Sequence, residues 1–187
     1  MTRTLDSAIH FLSATNAPIT RWGRSFSAAL LAVMLAVAVA QIASRAFFNH
    51  TLDWAEELAR MALVWSVLLA APLAYRSGAH VAISAFAEAI PPRLLYSTAL
   101  ALNLLTAWIC GVFLLESFDF VARGFTIVAS AVPLPMGWVY AIVPASLAAL
   151  LLVAIECVLR LARALLEGRF DLLLSGAVPV ADTDRDA

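Results

Sequence analysis

Four apolar blocks, separated by short stretches that collect nearly all the charge, divide this chain. They run from about Phe26 to Ala43, Leu58 to Tyr75, Leu94 to Leu115 and Trp138 to Leu159. At about 1.5 Å of rise per residue, such blocks cross or nearly cross a ~30 Å hydrocarbon core as helices. The pattern predicts an all-α integral membrane protein: a four-transmembrane-helix bundle in one membrane domain, 25–163, after a polar N-terminal segment, 1–24. The tail, 164–187, ends in Asp182, Asp184 and Asp186 and has too little apolar content to order itself throughout. The first block keeps a second reading open. Arg21 and Arg24 precede an apolar run that reaches Ala38-Val39-Ala40, the small-residue pattern of a cleavable signal peptide, although the leading polar region is long for one.

The connections carry the side chains that matter. Glu56 and Arg60 stand four apart, so on a helix they share a face and can pair, and Arg60 can also extend to the interface. Between Arg76 and Arg93 the positions Ile83, Phe86, Ala87 and Ile90 recur at helical spacing until Pro91-Pro92. This predicts a short interfacial helix between spans two and three; a simple surface loop is the competing reading. Thr98, Asn103 and Thr106 punctuate the third span and should face other helices, with Asn103 read as an interhelical hydrogen-bonding group before a substrate contact. Pro72 and Pro144 predict local kinks, Trp138 and Tyr140 an aromatic belt, and Glu156 with Arg160 a second pair four apart. On the first span Ala32, Ala36 and Ala40 offer a small-residue face for close helix contact.

Composition sharpens this picture. Hydrophobic residues make up 63% of the chain and charged residues 13%, against roughly 45–50% apolar usage in soluble domains. All 12 basic residues are arginine and they are spread along the chain, which with a net charge of −1 argues against a nucleic-acid partner. Membrane lipid is the expected surrounding. With four spans, Arg3, Arg21, Arg24, Arg76, Arg93, Arg160, Arg163 and Arg169 fall on one side and Arg45, Arg60 and Arg123 on the other. The positive-inside rule then places both termini in the cytoplasm. Cys110 and Cys157 lie inside apolar blocks, where thiols behave as small hydrophobes.

Chemistry is sparse. The apolar interiors carry no Asp, Glu, His or Arg away from their ends, and His10, His50 and His80 sit in three separate connections without a metal-binding or nucleophile motif. This argues against an enzyme and against a catalytic, metal or substrate site. For His80 a solvated interfacial side chain competes with a contact to a lipid headgroup or partner subunit. Two rival functions remain: a membrane-embedded lipid-modifying enzyme using interfacial groups such as His80, Arg76 and Glu88, and a small self-assembling transporter, which would need inverted repeats that are not evident.

One run of residues is more specific. Leu52-Asp53-Trp54-Ala55-Glu56-Glu57-Leu58-Ala59-Arg60, continuing through Trp65 to Arg76-Ser77-Gly78-Ala79-His80, resembles the small permease subunit of TRAP (tripartite ATP-independent periplasmic) transporters, the DctQ-type family. Pro91-Pro92-Arg93-Leu94 and the stretch Leu134-Pro135-Met136-Gly137-Trp138 onward to Pro144 resemble its next landmarks, so the likeness covers about Arg21 to Arg163. Members often carry an acidic residue shortly after the histidine, where this chain has Ser84. The resemblance implies a non-catalytic inner-membrane subunit without cofactors. It implies a large multispan permease as partner, which holds the substrate and sodium sites, and a periplasmic binding protein that delivers an organic acid. Trp54, Glu56, Glu57, Arg60, Arg76, His80, Asn103 and Trp138 are the candidate interface or structural residues, with the Glu56–Arg60 ion pair taken as structural first and as a partner contact second.

Overall fold

The computed structural model describes residues 2–48, 53–78 and 91–167. Within them the chain is helical. The helices are α1 (Thr2–Phe48), α2 (Asp53–Gly78), α3 (Pro92–Gly124), α4 (Met136–Tyr140) and α5 (Ile142–Glu167). Among the described residues the only β-type pairing is an isolated bridge between Val128 and Pro135, in the loop before α4. Four segments are long and apolar enough to cross a membrane: Ile9–Phe47, Trp54–Ser77, Arg93–Gly124 and Met136–Leu166. The connection proposed to hold an interfacial helix, with His80 and Glu88, lies outside the described residues.

The helices outrun the apolar blocks. α1 has 47 residues, about 70 Å of helix, and passes straight through Pro18 and the arginine-bearing turn at Arg21 and Arg24. Its inner face explains the continuation: Asn16, Thr20, Gly23 and Ser27, spaced four, three and four apart, are all buried. The seam lets two backbones approach closely, as small residues do in membranes. A Cβ on Gly23 would meet the Leu69 carbonyl oxygen of α2 at 2.8 Å, and the Ser27 hydroxyl donates to the Ser66 carbonyl at 2.7 Å. Position rises along α1 as it falls along α2, so the two run antiparallel. Ala32, Ala36 and Ala40 are exposed within this chain, because Asn16, Thr20, Gly23 and Ser27 form the seam that turns inward.

Two prolines lie inside the other helices, and neighbouring helices supply side-chain donors to backbone carbonyls beside them. Pro72 cannot donate to the Leu68 carbonyl, and the Ser146 hydroxyl of α5 donates to it at 2.6 Å. Pro144 likewise leaves Tyr140 without its usual donor, and the helix breaks at Ala141 between α4 and α5. Beside that break the Trp65 indole of α2 donates to the Val139 carbonyl at 3.0 Å. Such repair is what permits proline inside a membrane helix. Trp65→Phe keeps the ring and removes the donor, so it is expected to cost about 1 kcal/mol. A drop of a few degrees in the melting temperature of the detergent-solubilised chain would register it.

α3 begins with Pro92 at its first position, where a missing N–H costs nothing, and ends at Gly124. There α3 meets α4 closely: a Cβ on Gly124 would fall 2.9 Å from the Gly137 Cα, and one on Gly137 would strike the Phe125 ring. At the opposite end Tyr96 and Ala99 of α3 pack on Leu161 and Ala164 of α5, with Leu100 and Leu165 at the margin.

Candidate functional site

The most unusual group in the bundle is a buried acid. An ionisable side chain at membrane depth is costly unless paired, so its partners indicate what it does. Glu156, on the last turns of α5, is 2% exposed. Its Oε1 accepts from Arg160 Nη2 at 2.5 Å, one turn later on the same helix, and from Arg76 Nη2 of α2 at 3.4 Å. Its Oε2 accepts from Asn16 Nδ2 of α1 at 2.6 Å, and the same amide reaches the Leu152 carbonyl at 3.3 Å. One carboxylate therefore ties three helices together at the arginine-rich end. Asn16 is itself fully buried and its Oδ1 has no hydrogen-bond partner.

A second polar tie lies on the other side of α2. Tyr75 Oη donates to Asn103 Oδ1 of α3 at 2.7 Å, and the Asn103 amide donates back to the Ala99 carbonyl at 2.8 Å. Asn103 thus bonds between helices. Arg76 and Asn103, one residue from each tie, link α2 to α5 and to α3 respectively.

The acidic end is built differently. Glu57 accepts from two consecutive backbone N–H groups of the loop before α4: Ser130 at 3.2 Å to Oε1 and Ala131 at 2.7 Å to Oε2. This carboxylate holds the loop that carries the Val128–Pro135 bridge. Glu56 and Arg60 pair at 2.9 Å, as their spacing predicts, but both side chains are exposed, 68% and 73%. An exposed pair four apart contributes only about 0.3–0.5 kcal/mol to a helix. Trp54 is exposed, and Trp138, 62% exposed, meets Phe125 edge to face with ring centroids 5.7 Å apart.

The structure therefore divides the residues singled out by sequence. Arg76 and Asn103 lie in buried interhelical ties, Glu57 fastens a loop, and Trp54, Glu56, Arg60 and Trp138 are on the surface; His80 lies outside the described residues. Asn16 escaped sequence reasoning, and Glu156 was read only as a local partner of Arg160. The four-three-four spacing of Asn16, Thr20, Gly23 and Ser27 was the available signal for the first. Among the described residues no group of three or more His, Cys, Asp or Glu side chains could hold a metal ion.

The comparisons agree with one another. A curated relative, the sialic acid TRAP transporter small permease protein SiaQ of Vibrio cholerae, is 29% identical over 94 residues, covering 50% of this chain and 54% of its own. The match therefore spans about half the length of that relative. No solved structure matches. The family model described as "Tripartite ATP-independent periplasmic transporters, DctQ component" matches residues 34–164. With most of the four-span bundle inside that match, the chain belongs to the DctQ-type family of TRAP transporter small permease subunits.

Proposed function

We propose that this chain is a non-catalytic support subunit, which enlarges and anchors the static part of a transporter while a large multispan permease moves the substrate. Transport is sodium-coupled in the large subunit, and the substrate is an organic acid delivered by a periplasmic binding protein. The name of the Vibrio cholerae relative includes sialic acid, itself a carboxylic acid. Only that chemical class is carried over here. The chain lies in the inner membrane with both termini cytoplasmic, as the arginine bias favours.

The observation that supports this reading most is how the interior polar groups are used. Asn16, Ser27, Tyr75, Arg76, Asn103, Ser146 and Glu156 bond to one another or to neighbouring backbone. A transporter site needs polar groups convergent on a cavity near the midplane, often on broken helices. Here side-chain donors bond the backbone beside both prolines, and the outward faces are apolar: Leu35, Val39 and Ile42 on α1, Leu105, Trp108 and Phe113 on α3. Such faces suit lipid and a large apolar partner.

Affinity purification of the tagged full chain from its native membrane tests the reading. A large multispan protein should accompany it. Arg60→Ala should reduce the amount recovered, because its exposed ion pair does little for the fold and is placed to meet a partner. Recovery of the chain alone, under conditions that preserve other membrane complexes, would refute the assignment.

A further inference from the structure

The first and third spans each carry a pair of charged ends, and the two pairs do not line up. On α1 the apolar run lies between Arg24 and Arg45, on α3 between Arg93 and Glu116, and all four are exposed. Each interval is about 30–35 Å of helix, the length a hydrocarbon core requires. Packing contacts fix their relative heights. Gly23 of α1 lies against Leu69 of α2, and Ser146, near the middle of the apolar run of α5, bonds to the neighbouring Leu68. Arg24 therefore stands level with the middle of α5. Tyr75, six residues after Leu69, ties α2 to Asn103, and Arg93 lies ten residues before Asn103 on α3. α3 runs antiparallel to α5, since Tyr96 and Ala99 pack on Leu161 and Ala164 while Gly124 meets Gly137. Measured along the helices, Arg24 is thus displaced from Arg93 by about 25 Å toward the acidic end. Arg45 is displaced from Glu116 by about 20 Å in the same direction.

An upright bundle cannot serve both spans. With α3 fitted to the bilayer, the exposed Arg24 would stand in hydrocarbon, where a charge is costly. With α1 fitted instead, exposed Leu94 and Leu102 at the start of α3 would leave the lipid. The two offsets share one sign and nearly one size, which is what a flat slab produces when it cuts an inclined bundle. We propose that the bundle sits obliquely and meets lipid along a slanted belt, with Arg24, Arg76 and Arg93 at one headgroup surface and Arg45, Arg60 and Glu116 at the other. α1 packs along α2, and α3 along α5, so the incline runs from the α1 side to the α3 side. A tilt of roughly 40°, the upper end for membrane helices, absorbs most of the offset. Arginine stems extending toward the headgroups absorb the rest. Trp22 and Phe26, beside Arg24 with ring centroids 6.3 Å apart, are exposed and supply an aromatic anchor at that surface. This orientation does not depend on the transport reading, since it needs only the bundle and a bilayer.

Spin labels on the full chain in vesicles of phosphatidylethanolamine and phosphatidylglycerol test it. Ser25→Cys on α1 and Trp108→Cys on α3 place labels at nearly one height in the bundle, both on exposed positions, and Ser97→Cys marks the arginine-rich end of α3. The native Cys110 and Cys157 are buried, so the labelled parent chain serves as the blank. A water-soluble nickel chelate should relax the Ser25 label about as strongly as the Ser97 label, and several-fold more than the Trp108 label. A Ser25 label as protected as the one at Trp108 would overturn the proposal. A matched pair of charges reads the same belt independently. Leu31 and Leu115 also share one height and are both exposed, but only Leu31 lies inside the slanted hydrocarbon band. Leu115→Arg should insert at the parent level, whereas Leu31→Arg should lose most of its folded protein from the membrane. Equal recovery of the two would contradict the oblique seating.

Discussion

Glu156→Gln is expected to leave little folded protein in the membrane. The substitution keeps the side chain's shape and one carbonyl acceptor, and removes only the charge. Arg76 and Arg160 would then face each other across a neutral amide in a site where water barely enters. Breaking a buried ion pair by removing one partner costs about 3–5 kcal/mol. Folded domains hold only about 5–15 kcal/mol in all, so this is a large share. The sign of a second substitution separates charge from shape. In Glu156→Gln with Arg76→Gln the uncompensated arginine is gone, and Arg160, on the same helix and partly exposed, can extend outward. The double variant should therefore be more abundant than the Glu156→Gln single, a coupling of the kind expected for residues in one network. Quantifying detergent-extractable, monodisperse protein for both would decide it. A double variant scarcer than the single would mean that Arg76 supports the fold by packing, independently of the carboxylate.

Gly23→Leu should have the next largest effect. Even the first carbon of a side chain would sit 2.8 Å from the Leu69 carbonyl oxygen, and that obstacle is backbone, so no rotamer change relieves it. α1 would have to move away from α2. The Ser27 bond to Ser66 lies one turn along, and the Asn16 bond to Glu156 lies two turns back, so both would lengthen with it. Overpacking alone costs about 1–3 kcal/mol, and the lost bonds add to that. Gly111 provides the contrast, because nothing lies within 4 Å of its absent side chain. Gly111→Ala should be neutral or mildly stabilising, through better helix propensity. Melting temperatures of the two variants in one detergent would test the pair. Equal losses would show that the α1–α2 contact is looser than described.

The four long apolar helices were legible because a bilayer imposes a simple demand: long apolar runs with charge only at their ends. The Glu56–Arg60 pair and the helix break beside Pro144 also follow local rules, since each rule concerns neighbours within one or two turns. What escaped the sequence was long-range. Nothing in Glu57 announces the amides of Ser130 and Ala131, and nothing in Arg76 announces Glu156, because those partners meet only after the helices pack. The first 24 residues hid their packing for a different reason. Their polar average concealed a one-sided pattern, Asn16, Thr20, Gly23 and Ser27, which is the part of α1 that docks. The alanines of the first span lie outside the intramolecular seam, and alanine is so common in this chain that its spacing carried little information. The family resemblance, drawn from motifs between Trp54 and Pro144, was expected to reach from Arg21 to Arg163, and the family match covers residues 34–164.

Uptake after removal of the gene for this chain, with the large permease and the binding protein still produced, is the most direct measurement. Sodium-dependent accumulation of the organic acid should fall to background and return when the intact chain is supplied again. Undiminished accumulation without the chain would mean that transport needs no such support, and the proposed role would be wrong.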